Sequence, residues 1–424
     1  MQFIQRLSGS NIRVSPVSKP FIVSAVIFVF AGSIIGSFWL MSLLGADVGF
    51  AHSTFSLHKI FQVDGFLTLL VMGVGYMIVP RFRNIQLPSV GLAYLSYILI
   101  VFSIAASMLS IFASSDLSLL GAYAQLLSVS IFTATTIWTL RIPPRLLRTA
   151  DYFIALSVAV LLSTSLLRVI SQAGSGGNGS SLSEVQMLLL FAILMILGVE
   201  FKTLPSFLGF IRPRKKLSVL SFGLALTSVP LGIASMLYDD SVLAELFNAV
   251  LFAFVIAFAA AIYVFGGFDN SEILTLIQGE KKARYKYTVR HLRLSFLFLY
   301  GGIILAIAFN VSSNYSFYDL AIHYTAIGFI GLTVALYLPL MLPPITGRMV
   351  DFMKFHDLPL FLILAALAIR TFGDVIMTMR LTTTMSPSYL FMISGWLVVS
   401  GLLAFVIMIH RGMKDMQTIN NSSG

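Results

Sequence analysis

The chain has 424 residues, 58% of them apolar and only 10% charged, with 27 Lys and Arg against 17 Asp and Glu. A soluble domain carries roughly 25% charged residues, so a chain this long and this poor in charge cannot cover a water-facing surface. No cysteine is present, which excludes disulfides, thiolate haem ligation, covalent c-type haem and cysteine-ligated iron–sulfur clusters.

Apolar stretches of about 20 residues, the length that crosses a bilayer core as helix, recur from end to end. Twelve spans are predicted, at 20–44, 57–80, 88–113, 117–140, 150–171, 183–209, 216–237, 241–266, 290–311, 318–343, 358–378 and 387–409. The first is too long, and too firmly followed by others, to be a cleaved signal peptide. The fold class is therefore all-α, a polytopic membrane bundle of twelve transmembrane helices.

The connecting segments alternate in charge. Of the 27 cations, 23 fall on one side, and only Lys59, Arg168, Arg370 and Arg380 on the other. Cytoplasmic loops hold the excess of Lys and Arg, so both termini are expected in the cytoplasm of a multi-pass inner or plasma membrane protein. The basic balance is then a topology signal, and the partner it implies is lipid, not nucleic acid. The longest loop, 267–290, is basic and partly amphipathic, suited to lie on anionic headgroups. The segment 171–181 reads as a flexible outer loop.

Spans two, six and ten end alike, in YMIVPRFRN (76–84), KTLPSFLGFIRPRKK (202–216) and PLMLPPITGR (339–348), each a proline followed by a cation. Pro80, Pro205 and Pro343 are 125 and 138 residues apart and recur at every fourth span. The chain thus reads as pseudo-threefold, three units of four helices over about 20–140, 150–266 and 290–409.

His58 opens span two, 22 residues before Pro80, and His323 opens span ten, 20 before Pro343. At about 1.5 Å per residue both imidazoles lie about 30–33 Å from the prolines, at one outer level. Two imidazoles at one depth suit a haem iron as axial ligands; interfacial histidines bonded to water or headgroups are the plainer reading. The third unit has Glu184 and Gln186 at that place. Gln62 and Gly65 share the face of His58 at i+4 and i+7, and at Gly65 a flat ring has room to approach the backbone. Asp64, early in span two, is a buried acid and a functional candidate. Arg370 has Asp374 at i+4, which reads either as an internal ion pair or, with Arg380, as a clamp for haem propionates. Arg168 is expected to snorkel outward, and Glu200 to pair with Lys202 or, with it, to line a proton or anion path.

Twelve spans in three sets of four, with histidines on spans two and ten, resemble subunit I of the haem–copper oxidase superfamily; HKIFQVDGFLTLLVMGVGYMIVPRF (58–82) is similar to its second helix. Three stretches resemble the NnrS family of membrane proteins associated with nitric oxide and nitrosative stress: KPFIVSAVIF (19–28), LMILGVEFKTLPSF (194–207) and IHYTAIGFIGLTVALYLPLMLPPITGR (322–348). The resemblance implies a non-covalent haem, b-type or related, on His58 and His323, and electron transfer with a quinol or other redox partner, or a nitric oxide response. The chain departs from those families. Ile345 stands where NnrS proteins have a histidine in G-H-T-G-R, the span-nine histidine is missing from LRLSFLFLYGG with Tyr300 nearby, and span six has none. No copper site is evident, and the sequence points away from an oxygen-reducing binuclear centre. The competing expectation is a transporter whose path uses Asp64, Arg168, Arg370 and Asp374.

Overall fold

The computed structural model describes residues 15, 17–42, 51–113, 115–141, 148–175, 182–266, 279–351, 356–379 and 387–414. Among them are twelve helices long and apolar enough to cross a membrane: α1 (Ser18–Ser42), α2 (Ser53–Arg83), α3 (Val90–Ser110), α4 (Asp116–Arg141), α5 (Thr149–Gly174), α6 (Glu184–Ser206), α7 (Lys215–Tyr238), α8 (Ser241–Ile262), α9 (Lys282–Ser312), α10 (Tyr315–Pro343), α11 (Leu358–Thr378) and α12 (Pro387–Gly412). The bundle is all-α and polytopic. Two-residue strands, β1 (Met349–Val350) and β2 (Met413–Lys414), pair antiparallel just after α10 and α12.

Helix ends follow local chemistry. The Ser89 hydroxyl accepts the Leu92 N–H, Asp240 accepts from Val242 and Leu243, and Asn314 accepts from Ser316, each satisfying first-turn donors. Asn84, Asp239 and Gly347 stop their helices in the left-handed region. The largest departure from expectation is α9. Its helix begins at Gly279 and runs through the basic stretch expected to lie on headgroups, because Val289 and Leu292 turn inward and are buried; the remainder of that stretch, 267–278, lies outside the described residues.

The outer helices pack as neighbours in two runs, α3 on α4, α4 on α5, α5 on α7, α7 on α8 and α8 on α9, and α11 on α12 with α12 on α1. Small residues make these contacts close. One stripe of α7 is Ser218, Ser221, Ala225, Ser228, Gly232 and Ser235; the hydroxyls of Ser218, Ser228 and Ser235 turn back to local carbonyls, as Ser228 does to Ala225 at 2.8 Å, and that of Ser221 reaches the Phe254 carbonyl of α8 at 3.5 Å. In a bilayer such stripes substitute for a hydrophobic drive between helices. Inside lie α2, α6 and α10, in which 83, 89 and 61% of the apolar segment is buried by protein, against 22–50% in the other nine. Helix α6 touches both α2 and α10. A chain of rings, Phe153, Phe201, Phe258, Phe296 and Phe329, joins α5, α6, α8, α9 and α10 at centroid spacings of 4.4–6.0 Å. The outer surfaces carry exposed Leu, Ile, Val and Phe, as a lipid-facing protein requires.

Candidate functional site

The two most buried spans that carry a histidine, α2 and α10, share an irregularity. One residue after His58 the chain turns π-helical over Ile60–Thr68, and directly after His323 over Tyr324–Gly331. A π segment of this kind inserts residues into the turn and recurs at functional sites. Nothing in the residue pattern announced it.

Each imidazole is fixed through the same nitrogen. His58 Nδ1 lies 2.8 Å from the Gly32 carbonyl of α1, and His323 Nδ1 lies 2.7 Å from the Asp319 carbonyl one turn back on α10. A carbonyl only accepts, so in both rings Nδ1 carries the hydrogen and Nε2 keeps its lone pair. Neither Nε2 has a hydrogen-bond partner among the described residues. The two rings, Arg370 and Asp319 are close enough to feel one another's charge. Gly36 of α1 gives His58 its place: a Cβ there would stand 2.5 Å from Nδ1, so only glycine lets the ring close on α1.

Gln62 and Gly65 do share the face of His58, and that face is turned to α1. The Gln62 amide donates to Ser33 Oγ at 3.1 Å and to the Val29 carbonyl at 3.3 Å. The space above Gly65 is filled by the Phe28 ring, which a Cβ would meet at 2.7 Å. Both residues therefore hold α2 to α1 in this structure and leave no room there for a flat ring.

Arg370 pairs across helices instead of along its own. Its Nε and Nη2 each reach a carboxylate oxygen of Asp319 at 2.6 Å, and its guanidinium lies 5.7 Å from the Phe391 ring of α12. Asp319 Oδ1 is also 3.4 Å from His323 Nδ1. The expected partner, Asp374, sits beside Asp319 and Ser316 with its Oδ2 buried and without a hydrogen bond. A fork of two parallel bonds from α10 outcompetes an i+4 contact, which reaches one oxygen at best. The guanidinium is thus committed to a protein carboxylate, while Arg380 lies outside the described residues. The Tyr324 hydroxyl, 2.9 Å from Thr371 Oγ1, ties α10 to α11 beside this group.

A second charged group lies between α2, α4, α5 and α6. Arg168 Nη1 reaches both oxygens of Asp64 (3.1 and 3.0 Å) and Gln125 Oε1 (2.7 Å), its Nε is 3.6 Å from Glu184 Oε1, and Gln125 Nε2 donates to Asp64 at 3.1 Å. Arg168 does not snorkel; two acids and an amide hold it inside the bundle. At the opposite, basic end, Arg83 lies 3.4 Å from Asp151, and Lys202 donates to the Phe82 carbonyl at 2.7 Å with its ammonium 4.1 Å from that ring. The expected Lys202–Glu200 pair does not form, since residues two apart point to different faces of a helix.

Sequence reasoning missed Asp319, Gln125 and the Gly32–Gly36 pair. Two signals were available: the D-x-x-x-H spacing of Asp319 and His323, one helical turn on one face, and the G-x-x-x-G spacing of α1. Among the described residues no three His, Asp or Glu side chains are grouped to hold a bare metal ion. No known protein-family model matches the chain, and no curated protein is significantly similar to it.

Proposed function

We propose that this chain is a haem-binding integral membrane protein, with His58 and His323 as the axial ligands. The observation that carries the reading is the matched pair of imidazoles. Each is held by a carbonyl on Nδ1, and each keeps a free Nε2 lone pair at the outer end of an inner span. Outer-shell bonds of this kind fix the tautomer and aim the ligating nitrogen. The pair also answers the donor set: two neutral imidazoles satisfy a haem iron, where a bare ion would need more ligands.

A haem held there would supply one-electron transfer and, with one ligand labile, a place for a diatomic gas such as nitric oxide. The chain's own residues do the positioning. Gly32 and Gly36 seat His58 against α1, and the Arg370 fork fixes Asp319, which braces His323. A quinol in the bilayer is the electron partner this reading favours. From the charge count, the histidine end faces the outside and both termini the cytoplasm.

The test is the absorption spectrum of purified full-length protein supplied with haem, oxidised and dithionite-reduced. A Soret band that shifts on reduction, and is lost in both His58→Ala and His323→Ala, is the expected result. Haem binding that survives both substitutions unchanged overturns the assignment. A carrier of protons or small solutes is the second reading, favoured by the unpartnered Asp374 oxygen; it requires haem-free protein in liposomes to move a solute and Asp374→Asn to stop it.

A further inference from the structure

Glu200 lies on α6, the most enclosed span, and is 1% exposed. Both of its carboxyl oxygens are buried without a hydrogen-bond partner among the described residues. The hydroxyl of Tyr337, on α10, is orphaned in the same way, and the two groups are within electrostatic reach of each other. Thr203, one turn on from Glu200, lies beside the Tyr337 hydroxyl and gives its own hydrogen to the Val199 carbonyl at 3.0 Å. Three buried oxygens without a partner on two inner helices that touch are far from the usual case, in which nearly every buried polar atom is paired.

Their position is regular. Glu200 is five residues before Pro205 and Tyr337 six before Pro343, so both stand roughly 8–9 Å inside the basic end of the bundle at 1.5 Å per residue. Just beyond them is the charged rim of Arg83, Asp151 and Lys202. Tyr337 faces Glu200 from α10, and no charged group among the described residues stands close enough to compensate a carboxylate there. An ionised carboxylate in such a place would cost several kcal/mol. A divalent cation would keep a net charge and lack ligands, because one carboxyl and two hydroxyls fall short of the six or more oxygens such ions take. A proton needs only one oxygen to sit on and one to bond to.

We propose that Glu200, with Tyr337 and Thr203, is an internal binding site for one exchangeable proton, set between α6 and α10 and served from the basic face. Glu200 holds the proton as a neutral carboxylic acid, with the Tyr337 hydroxyl on the facing helix near enough to act on its charge. On release, the proton leaves toward the Lys202 rim, and the Tyr337 hydroxyl, turning from its present place, is the donor available to the carboxylate. Nothing is oxidised or reduced in the step. The proposal does not depend on haem.

Infrared spectroscopy of the full-length chain in lipid nanodiscs tests it. A protonated-carboxyl C=O band is expected at neutral pH, moving to lower frequency after transfer to D2O. It should vanish in Glu200→Gln and persist in Asp374→Asn. Tyr337→Phe, which keeps the ring, should shift the same band upward by removing the one hydroxyl available to the carboxyl from α10, and serves if the Gln variant does not fold. A band unchanged by both substitutions, or one that never shifts in D2O, overturns the proposal. A band abolished by sodium at constant pH also overturns it, in favour of a cation site.

Discussion

Two buried arginines, Arg168 and Arg370, face aspartates from neighbouring helices at similar distances, and their surroundings make them opposites. Around Arg168 every acceptor of Asp64 and both ends of the Gln125 amide are used, and four helices are tied together. Around Arg370 the fork to Asp319 is equally tight, yet the group leaves Asp374 Oδ2 orphaned and His323 Nε2 open. A closed network fixes a bundle; a network with unused atoms has capacity for something else. Charge alone marks neither as a site, and accounting for each polar atom separates them.

That contrast can be broken most strongly at the closed group. Asp64→Leu leaves the Arg168 guanidinium with Glu184 as its one remaining carboxylate, and removing one partner of a buried pair costs about 3–5 kcal/mol. Thermal unfolding in detergent should show a large drop, and the Asp64→Leu/Arg168→Leu double variant should recover part of it. Equal losses in single and double variants would mean that the two residues do not act as a pair. At the open group, Arg370→Lys keeps the charge but removes the two-pronged geometry. Under the proposed haem assignment, haem affinity should fall several-fold with the fold intact by circular dichroism, while His58, which is held from α1, should keep its part of the spectrum. Gly36→Ala drives a methyl group toward the His58 ring, an overpacking cost of about 1–3 kcal/mol. Under the same assignment it should displace the Soret band, and an unaltered spectrum would disconnect α1 from the proposed ligand. The smallest effect belongs to Asp374→Asn. With no hydrogen bond lost at Oδ2, stability should change by no more than about 1 kcal/mol; a drop as large as that of Asp64→Leu would place Asp374 in a closed network as well.

The twelve spans were legible because bilayer thickness dictates the length of each apolar stretch, and α11 at 358–378 falls where hydropathy puts it. The placement of His58 and His323 at the ends of inner spans follows from counting along a helix to Pro80 and Pro343. Partnerships were not legible. Arg370 has an aspartate one turn away on its own helix and chooses Asp319, 51 residues earlier; Arg168 lies 104 residues from Asp64. Helical periodicity fixes which face a residue occupies and says nothing of which helix lies opposite. Glu200 and Lys202 show the converse, for adjacency in sequence suggested a pair where the helix turns them apart.

The π-helical stretches behind both histidines have a mechanical consequence. An α-helix advances 100° per residue, so absorbing one surplus residue swings everything beyond it by that angle relative to an uninterrupted helix. The short outer caps bearing the two rings are therefore aimed independently of the long shafts beneath them, whose lipid and core faces are already committed. Excising a single residue from Ile60–Thr68 would restore the regular winding and point His58 about a quarter-turn away, on a shaft otherwise unchanged.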